Sequence, residues 1–162
     1  MANPTEVTTP SDTEVCVVRE FNAPRELVFR AWTDPELLGR WMGGMPGWSV
    51  TKSEGDPRAG GSHRIEWSGP EGAFMAMTVT YREFVPPERL VTIEVFDEAW
   101  HPGEAVTTLV FTEEEPGVTT ATMTVVYETK EARDIAMATG MTDGMAITYE
   151  GLDHLLAELQ ER

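Results

Sequence analysis

The apolar positions near the C-terminus recur at steps of three and four residues, which is the spacing of one face of a helix. Between residues 140 and 159, this stripe consists of Met141, Met145, Thr148, Leu152, Leu155, Leu156 and Leu159. Charged residues such as Asp143 and Glu150 fall on the opposite face. The pattern predicts a helix of about twenty residues, roughly 30 Å long, whose apolar stripe needs a large partner surface.

A different pattern runs from residue 13 to residue 127, where apolar and polar residues alternate between turn sequences. The alternation predicts seven strands: residues 13–21, 48–53, 62–68 and 73–84, then strands around 91–95, around 109–111 and over 120–127. The short connections between them indicate an antiparallel meander. One face of this sheet is predicted to pack on the long helix.

Two short helices are predicted directly after the first strand. Pro24 suits the start of a helix that runs to Trp32, because a first-turn residue needs no N–H partner. Asp34 is a candidate cap for a second helix over residues 35–42, with Pro35 in its first turn. Residues 1–12 (MANPTEVTTPSD) show no periodicity and are predicted to be a disordered tail, so the domain is expected to span residues 13–162.

Composition and charge narrow the class of protein. A chain of 162 residues fits one domain, and its formal net charge of −16 argues against a nucleic-acid partner, since phosphate binding needs a basic surface. No apolar run reaches the ~20 residues of a membrane span, so membrane insertion is not expected. The single cysteine, Cys16, forms no internal disulfide, which favours a cytoplasmic location.

Several segments carry a family resemblance. They are FNAPRELVF at residues 21–29, AWTDPELL at 31–38, Arg40-Trp41, DPR at 56–58 with Gly60-Gly61, and PPERLV at 86–91. Together with the order of elements, they resemble the START/Bet v 1-like (SRPBCC) superfamily, and within it the homologues of the activator of the heat-shock protein 90 ATPase. The resemblance extends over nearly everything from Thr13 onward. One departure is Met145, where the family often carries Trp.

This resemblance implies an α+β helix-grip fold, in which a sheet of about seven antiparallel strands wraps around the long C-terminal helix. It also implies a cavity between sheet and helix, because relatives bind lipids, sterols or polyketides there. Eukaryotic activators of heat-shock protein 90 carry an additional N-terminal domain. Only a short tail precedes the fold here, so heat-shock protein 90 is not expected as a partner.

A hydrophobic small molecule is therefore the expected ligand. The residues predicted to line its site are His63, Trp67, Met75, Met77, Ile93, Met123, Met141, Met145 and Tyr149. Methionines adapt to irregular shapes and suit such a role, although the same residues could simply fill a core. A buried histidine such as His63 is more often a hydrogen-bonded core group than a catalyst.

The sequence contains no signature of a known catalytic centre. Nucleophile elbow, phosphate loop, zinc spacing and dinucleotide fingerprint are all absent, so no metal, cofactor or catalytic residue is predicted. Carboxylates are numerous, but none falls at a position predicted to face the cavity. A cyclase or hydrolase using His63 and Tyr149 stays open as an alternative.

A protein-interaction module is the third hypothesis. It would have a filled core and an exposed apolar patch, with Trp41, Met42, Met45 and Trp48 as the candidate residues. The volume between sheet and helix distinguishes these three hypotheses.

Overall fold

The computed structural model describes residues 3–43, 47–97, 104–138 and 141–161, and for residues 141 and 142 it describes the backbone only. Within these residues the chain forms one antiparallel sheet and four α-helices, so the predicted α+β class is confirmed. The elements in chain order are β1 Thr5–Thr8, β2 Glu14–Phe21, α1 Arg25–Thr33, α2 Pro35–Trp41, β3 Ser49–Gly55, β4 Ser62–Ser68, β5 Phe74–Val85, β6 Arg89–Phe96, β7 Ala105–Glu115, β8 Val118–Tyr127, α3 Lys130–Ala138 and α4 Met141–Gln160.

The sheet has eight strands in the described residues, in the order β1-β2-β8-β7-β6-β5-β4-β3, rather than the predicted seven. The additional strand is β1, which pairs with β2 so that Thr5 lies opposite Arg19 and Thr8 opposite Cys16. The prediction of a disordered tail over residues 1–12 is therefore wrong for this segment. An edge strand is ordered by backbone pairing and stays largely exposed, so its sequence needs no apolar alternation.

Both short helices begin as their sequences predict. The Pro24 carbonyl accepts the N–H groups of Leu27 and Val28 at 3.0 and 3.1 Å, which starts α1. The Asp34 side chain accepts the Glu36 N–H at 3.0 Å, so the predicted cap of α2 is confirmed. Together the two helices fill the gap between strands β2 and β3 along the chain and cover part of the inner face of the sheet.

The long C-terminal helix is present as α4. Its Leu152, Leu155 and Leu156 are buried, whereas Glu150 and His154 are exposed, as the periodicity predicts. A third helix, α3, packs between β8 and α4; it was not among the predicted elements. None of the helices in the described residues is both long and apolar enough to span a membrane.

An ion pair ties the sheet to α4. Arg19 of β2 points inward, is only 2% exposed, and donates two hydrogen bonds of 2.6 Å to the two carboxylate oxygens of Asp153. Its guanidinium also lies 4.7 Å from the centre of the Phe21 ring. The alternation of β2 places Arg19 on the same face as Val15 and Val17, so the ion pair fixes α4 above a face that is otherwise apolar.

Candidate functional site

A cavity of about 440 Å³ lies between the first half of α4 and the inner face of the sheet. Strands β4 to β8 form its floor, and α1, α2, α3 and α4 contribute its walls. The described lining residues are Trp32, Trp41, Met42, Gly43, Trp48, Trp67, Met75, Met77, Glu94, Phe96, Ala105, Thr107, Met123, Val125, Tyr127, Ala136, Gly144, Met145, Thr148 and Tyr149. The lining is mostly aromatic and methionine side chains, which is the composition of a site for an apolar body.

Two indole groups of the wall, those of Trp41 and Trp67, are held in place by hydrogen bonds to backbone carbonyls. The Trp41 N–H donates to the carbonyl of Ala31 at 2.8 Å, and the Trp67 N–H donates to the carbonyl of Met42 at 3.0 Å. Because these polar groups are already paired, the rings contribute apolar surface to the cavity.

Aromatic rings also pack against one another on the helix side. Trp32 contacts Trp41 and Tyr149 in edge-to-face arrangements, with ring centres 5.0 and 5.6 Å apart. The Phe21 ring of β2 contacts both Trp32 and Tyr149 edge-to-face, with ring centres 5.8 and 5.5 Å apart. This cluster joins β2, α1, α2 and α4, so the wall of the cavity is continuous with the core and is rigidly supported.

One carboxylic acid, Glu94 of β6, lies within this apolar lining. In the sheet it sits opposite Val79 of β5 and Ala105 of β7, so small apolar neighbours flank it. Burial raises its pKa to about 7, and within the described residues no N–H or O–H group donates a hydrogen bond to the carboxyl. Near neutral pH the group is therefore poised between its neutral and its charged form.

Three buried tyrosines on different elements interact electrostatically with Glu94. Burial, and secondarily the negative charge of Glu94, raises the pKa of Tyr81 on β5 and of Tyr127 on β8 to about 12. The same two causes raise the pKa of Tyr149 on α4, while nearby Arg19 lowers it slightly. The tyrosines consequently stay neutral across the physiological range, and Glu94 is the group that titrates.

Six of the nine residues predicted for the site line this cavity together. They are Trp67, Met75, Met77, Met123, Met145 and Tyr149. The side chain of a seventh, Met141, lies outside the described residues. The strand and helix periodicities thus bring the aromatic and methionine members into one place, while their role in binding stays a prediction.

Ile93 does not line the cavity, and its predicted orientation is wrong. The inner face of β6 carries Leu90, Thr92 and Glu94, with Phe96 at its end, whereas Val95 on the other face is 47% exposed. Isoleucine and valine favour strands on either face, so the run at 91, 93 and 95 indicated a strand without indicating which side is buried. The same error hid Glu94, the one carboxylate of β6, because it placed this residue on the outer face.

His63 is buried on the inner face of β4, as predicted, but it lies away from the cavity. Its Nε2 is 2.9 Å from the Ser53 hydroxyl oxygen, and that hydroxyl lies 2.6 Å from the Pro35 carbonyl, to which it donates. The single hydroxyl proton is thereby used, so Nε2 must donate to Ser53. Burial lowers the pKa of His63, and the neutral ring joins β3 and β4 to the start of α2 as a core group.

The patch suggested for an interaction module is not a surface patch in the described residues. Trp41 is buried, and Met42 and Trp48 are partly buried against the core, all three lining the cavity. Met45 lies outside the described residues. A second, more polar depression of about 310 Å³ runs along the outer side of α4 near His154.

Solved structures with this architecture come from several bacteria. A protein of Rhodobacter sphaeroides is 36% identical, covers 96% of this chain and 99% of its own, and superposes with a TM-score of 0.87. A protein of Mycobacterium smegmatis is 24% identical over 96% of this chain and 99% of its own, with a TM-score of 0.82. The second likeness shows the fold alone.

A more distant structural neighbour is an HSP90 activator from Plasmodium falciparum. It is 21% identical, covers 70% of this chain and 72% of its own, and has a TM-score of 0.53, so it again shows the fold. No curated protein matches the sequence. The family model described as Activator of Hsp90 ATPase homolog 1-like protein matches residues 22–157, from just before α1 to the last turn of α4. The match includes all the described residues that line the cavity. With its helix-grip architecture, this chain belongs to that family, within the Bet v 1/SRPBCC-like fold.

Proposed function

We propose that this protein binds a small, largely apolar molecule in the cavity between α4 and the sheet. The observation that carries the proposal is a cleft of about 440 Å³, lined mostly by apolar side chains, between α4 and the inner face of the sheet. Protein interiors leave few voids larger than a water molecule, whereas ligand pockets have volumes of roughly 300 to 1,000 Å³.

The composition of the lining supports the same conclusion. The space is lined by Met75 and Met77 of β5, Met123 of β8 and Met145 of α4. Unbranched thioether side chains change rotamer at low cost, so the cavity can adapt to an apolar body of variable outline. The tryptophan rings add large flat surfaces, and the indole N–H groups of Trp41 and Trp67 are already hydrogen-bonded.

Catalysis and a chaperone role have less support. The Plasmodium neighbour is described as an HSP90 activator, but that likeness extends to the fold and no further. That this chain does not act on heat-shock protein 90, that it is cytoplasmic, and that it binds no nucleic acid stay predictions from the sequence. His63, one of two residues considered for an enzyme, is remote from the cavity.

Binding can be tested with N-phenyl-1-naphthylamine, a neutral apolar probe that becomes fluorescent in a dry environment. We expect saturable binding with one site per chain. Met75→Trp should reduce it at least roughly tenfold by occupying the cavity. The matched control is Phe74→Trp, the neighbouring position on β5, whose side chain is 58% exposed and points to the other face.

Two results would contradict the proposal. One is fluorescence that rises without saturation in the parent protein, which would indicate non-specific surface adsorption. The other is equal binding by the Met75 and Phe74 variants, which would locate the probe elsewhere. Circular dichroism of both variants checks that each is folded.

A further inference from the structure

The cavity has an uneven distribution of charge. Among its described lining residues, Glu94 is the only carboxylic acid, and none of the others is a lysine, arginine or histidine. The same lining contains seven aromatic side chains: Trp32, Trp41, Trp48, Trp67, Phe96, Tyr127 and Tyr149. A lone carboxylate among aromatic faces is an arrangement that attracts a cation, because the faces of the rings carry negative partial charge.

Three hydrogen-bond donors of the lining are already paired with backbone carbonyls, which leaves the Glu94 carboxyl as a polar group that can bind an occupant. The N–H groups of Trp41 and Trp67 and the hydroxyl of Thr148 all donate to backbone carbonyls, the last to Gly144 at 2.8 Å. These donors are therefore turned away from an occupant. The Glu94 carboxyl, which receives no hydrogen bond from the described residues, is left to accept one from whatever enters.

We propose that the preferred occupant is a protonated organic amine with an apolar body, whose ammonium group pairs with Glu94 while the body contacts the methionines and indoles. This inference rests on the proposed function, since it specifies the ligand of the same cavity. A charge-assisted hydrogen bond in a dry site is stronger than a neutral one, and the aromatic faces add cation–π attraction. An anionic ligand would meet both the carboxylate and a chain of net charge −16.

Three probes that share the naphthalene ring separate charge from shape: 2-naphthylmethylamine, which is protonated at neutral pH, 2-naphthylmethanol, which is neutral and of nearly the same shape, and 2-naphthoate, which is anionic. Isothermal titration at pH 8 should rank the amine tightest, by roughly tenfold or more over the alcohol, with the carboxylate weakest. Glu94→Gln keeps the shape of the side chain and should lower the affinity for the amine to that for the alcohol.

The control variant is Glu114→Gln. It removes one negative charge from the exposed end of β7, so it tests whether overall charge alone explains the preference. We expect it to leave all three affinities within about twofold of the parent, since exposed charges are screened by salt.

A second measurement needs no variant. In the parent protein the affinity for the amine should fall by up to about tenfold between pH 8 and pH 6, because Glu94 becomes protonated, while the affinity for the alcohol stays constant. Of the groups that face Glu94, Tyr81, Tyr127 and Tyr149 are neutral at both pH values, so they do not contribute to this change.

The outcomes are distinguishable from failure of the proposed function. Equal affinity for amine and alcohol, or a preference that survives in Glu94→Gln, would overturn the amine inference while leaving apolar binding intact. Failure of all three probes to bind, together with failure of N-phenyl-1-naphthylamine, would overturn both.

Discussion

The two halves of α4 face the sheet in different ways. The C-terminal half, with Leu152, Leu155 and Leu156, packs into a filled core at the β2 side of the sheet. The N-terminal half, from Gly144 to Tyr149, stands over the cavity. One helix on one sheet thus forms an ordinary core at one end and an open site at the other.

The side chains account for this difference. At the filled end, α4 contributes the branched aliphatic residues Leu152, Leu155 and Leu156, all of them buried, and such side chains have few rotamers. The open end is supplied by methionines and tryptophans and by the acid Glu94. We infer that the filled end carries most of the stability and the open end is free to serve binding.

The largest effect is expected at the filled end. Leu152→Ala removes a fully buried side chain from close packing and should lower the free energy of unfolding by about 3–5 kcal/mol. The matched change at the open end, Met145→Ala, should cost about 1 kcal/mol or less, because that side chain already borders empty space. Urea unfolding of the two variants measures both. Similar losses would mean that the two ends are packed alike.

The ion pair that fixes the filled end should give the next largest effect. Asp153→Asn keeps the volume of the side chain but leaves the buried Arg19 without a counter-charge, at a cost of about 3 kcal/mol. Glu158→Gln, also on α4, weakens an exposed pair with Arg40 and should cost about 0.5 kcal/mol or less. If the two variants melt at the same temperature, the buried pair does not hold α4 in place.

The sequence predicts most of this fold because its two periodicities are clean. In α4 the steps of three and four residues separate Leu152 and Leu155 from Glu150 and His154. In β4, β5 and β8, polar residues alternate with apolar ones, so the inner face is unambiguous and six of the nine predicted cavity residues lie together. Local pattern suffices wherever only one face of an element is apolar.

Hydrophobic periodicity did not predict the two charged side chains on the inner face of the sheet, Arg19 and Glu94. Arg19 and Glu94 both occupy inner-face positions of their strands, and each is accommodated by a feature that local pattern does not describe. Arg19 has a partner 134 residues later in the chain. Glu94 faces a cavity, and the volume of a cavity depends on the distance between helix and sheet, which no single segment specifies.

Glu94 gives the third prediction, which concerns pH. Its pKa is raised from 4.5 to about 7 in the folded protein, so the folded state holds a proton that the unfolded state has lost between these values. Stability is therefore unaffected by this group below pH 4.5, falls as the pH rises from there to about 7, and is reduced by a constant amount above.

Glu94→Gln removes this dependence. The difference in the free energy of unfolding between the variant and the parent should increase by about 2 kcal/mol, in favour of the variant, from pH 5 to pH 8. Urea unfolding at each pH measures this difference. For Glu114→Gln, which removes an exposed charge, the same difference from the parent should change by roughly 0.5 kcal/mol or less from pH 5 to pH 8. A Glu94 variant whose advantage is the same at both pH values would show that the carboxyl is well solvated.

The smallest effect on stability is expected at Met145, the position where the family often carries the larger Trp. Met145→Trp at the open end should change the free energy of unfolding by only about 1 kcal/mol, since the added ring enters the cavity of about 440 Å³ and buries apolar surface there. The same enlargement at the filled end, Leu152→Trp, should destabilise by about 1–3 kcal/mol, because no space is available and neighbours must leave their rotamers. Thermal melts compare the two, and loss of N-phenyl-1-naphthylamine binding in Met145→Trp shows that the ring occupies the site. A Met145→Trp protein that melts as low as Leu152→Trp would mean that the space beneath the first half of α4 is as tightly packed as the second.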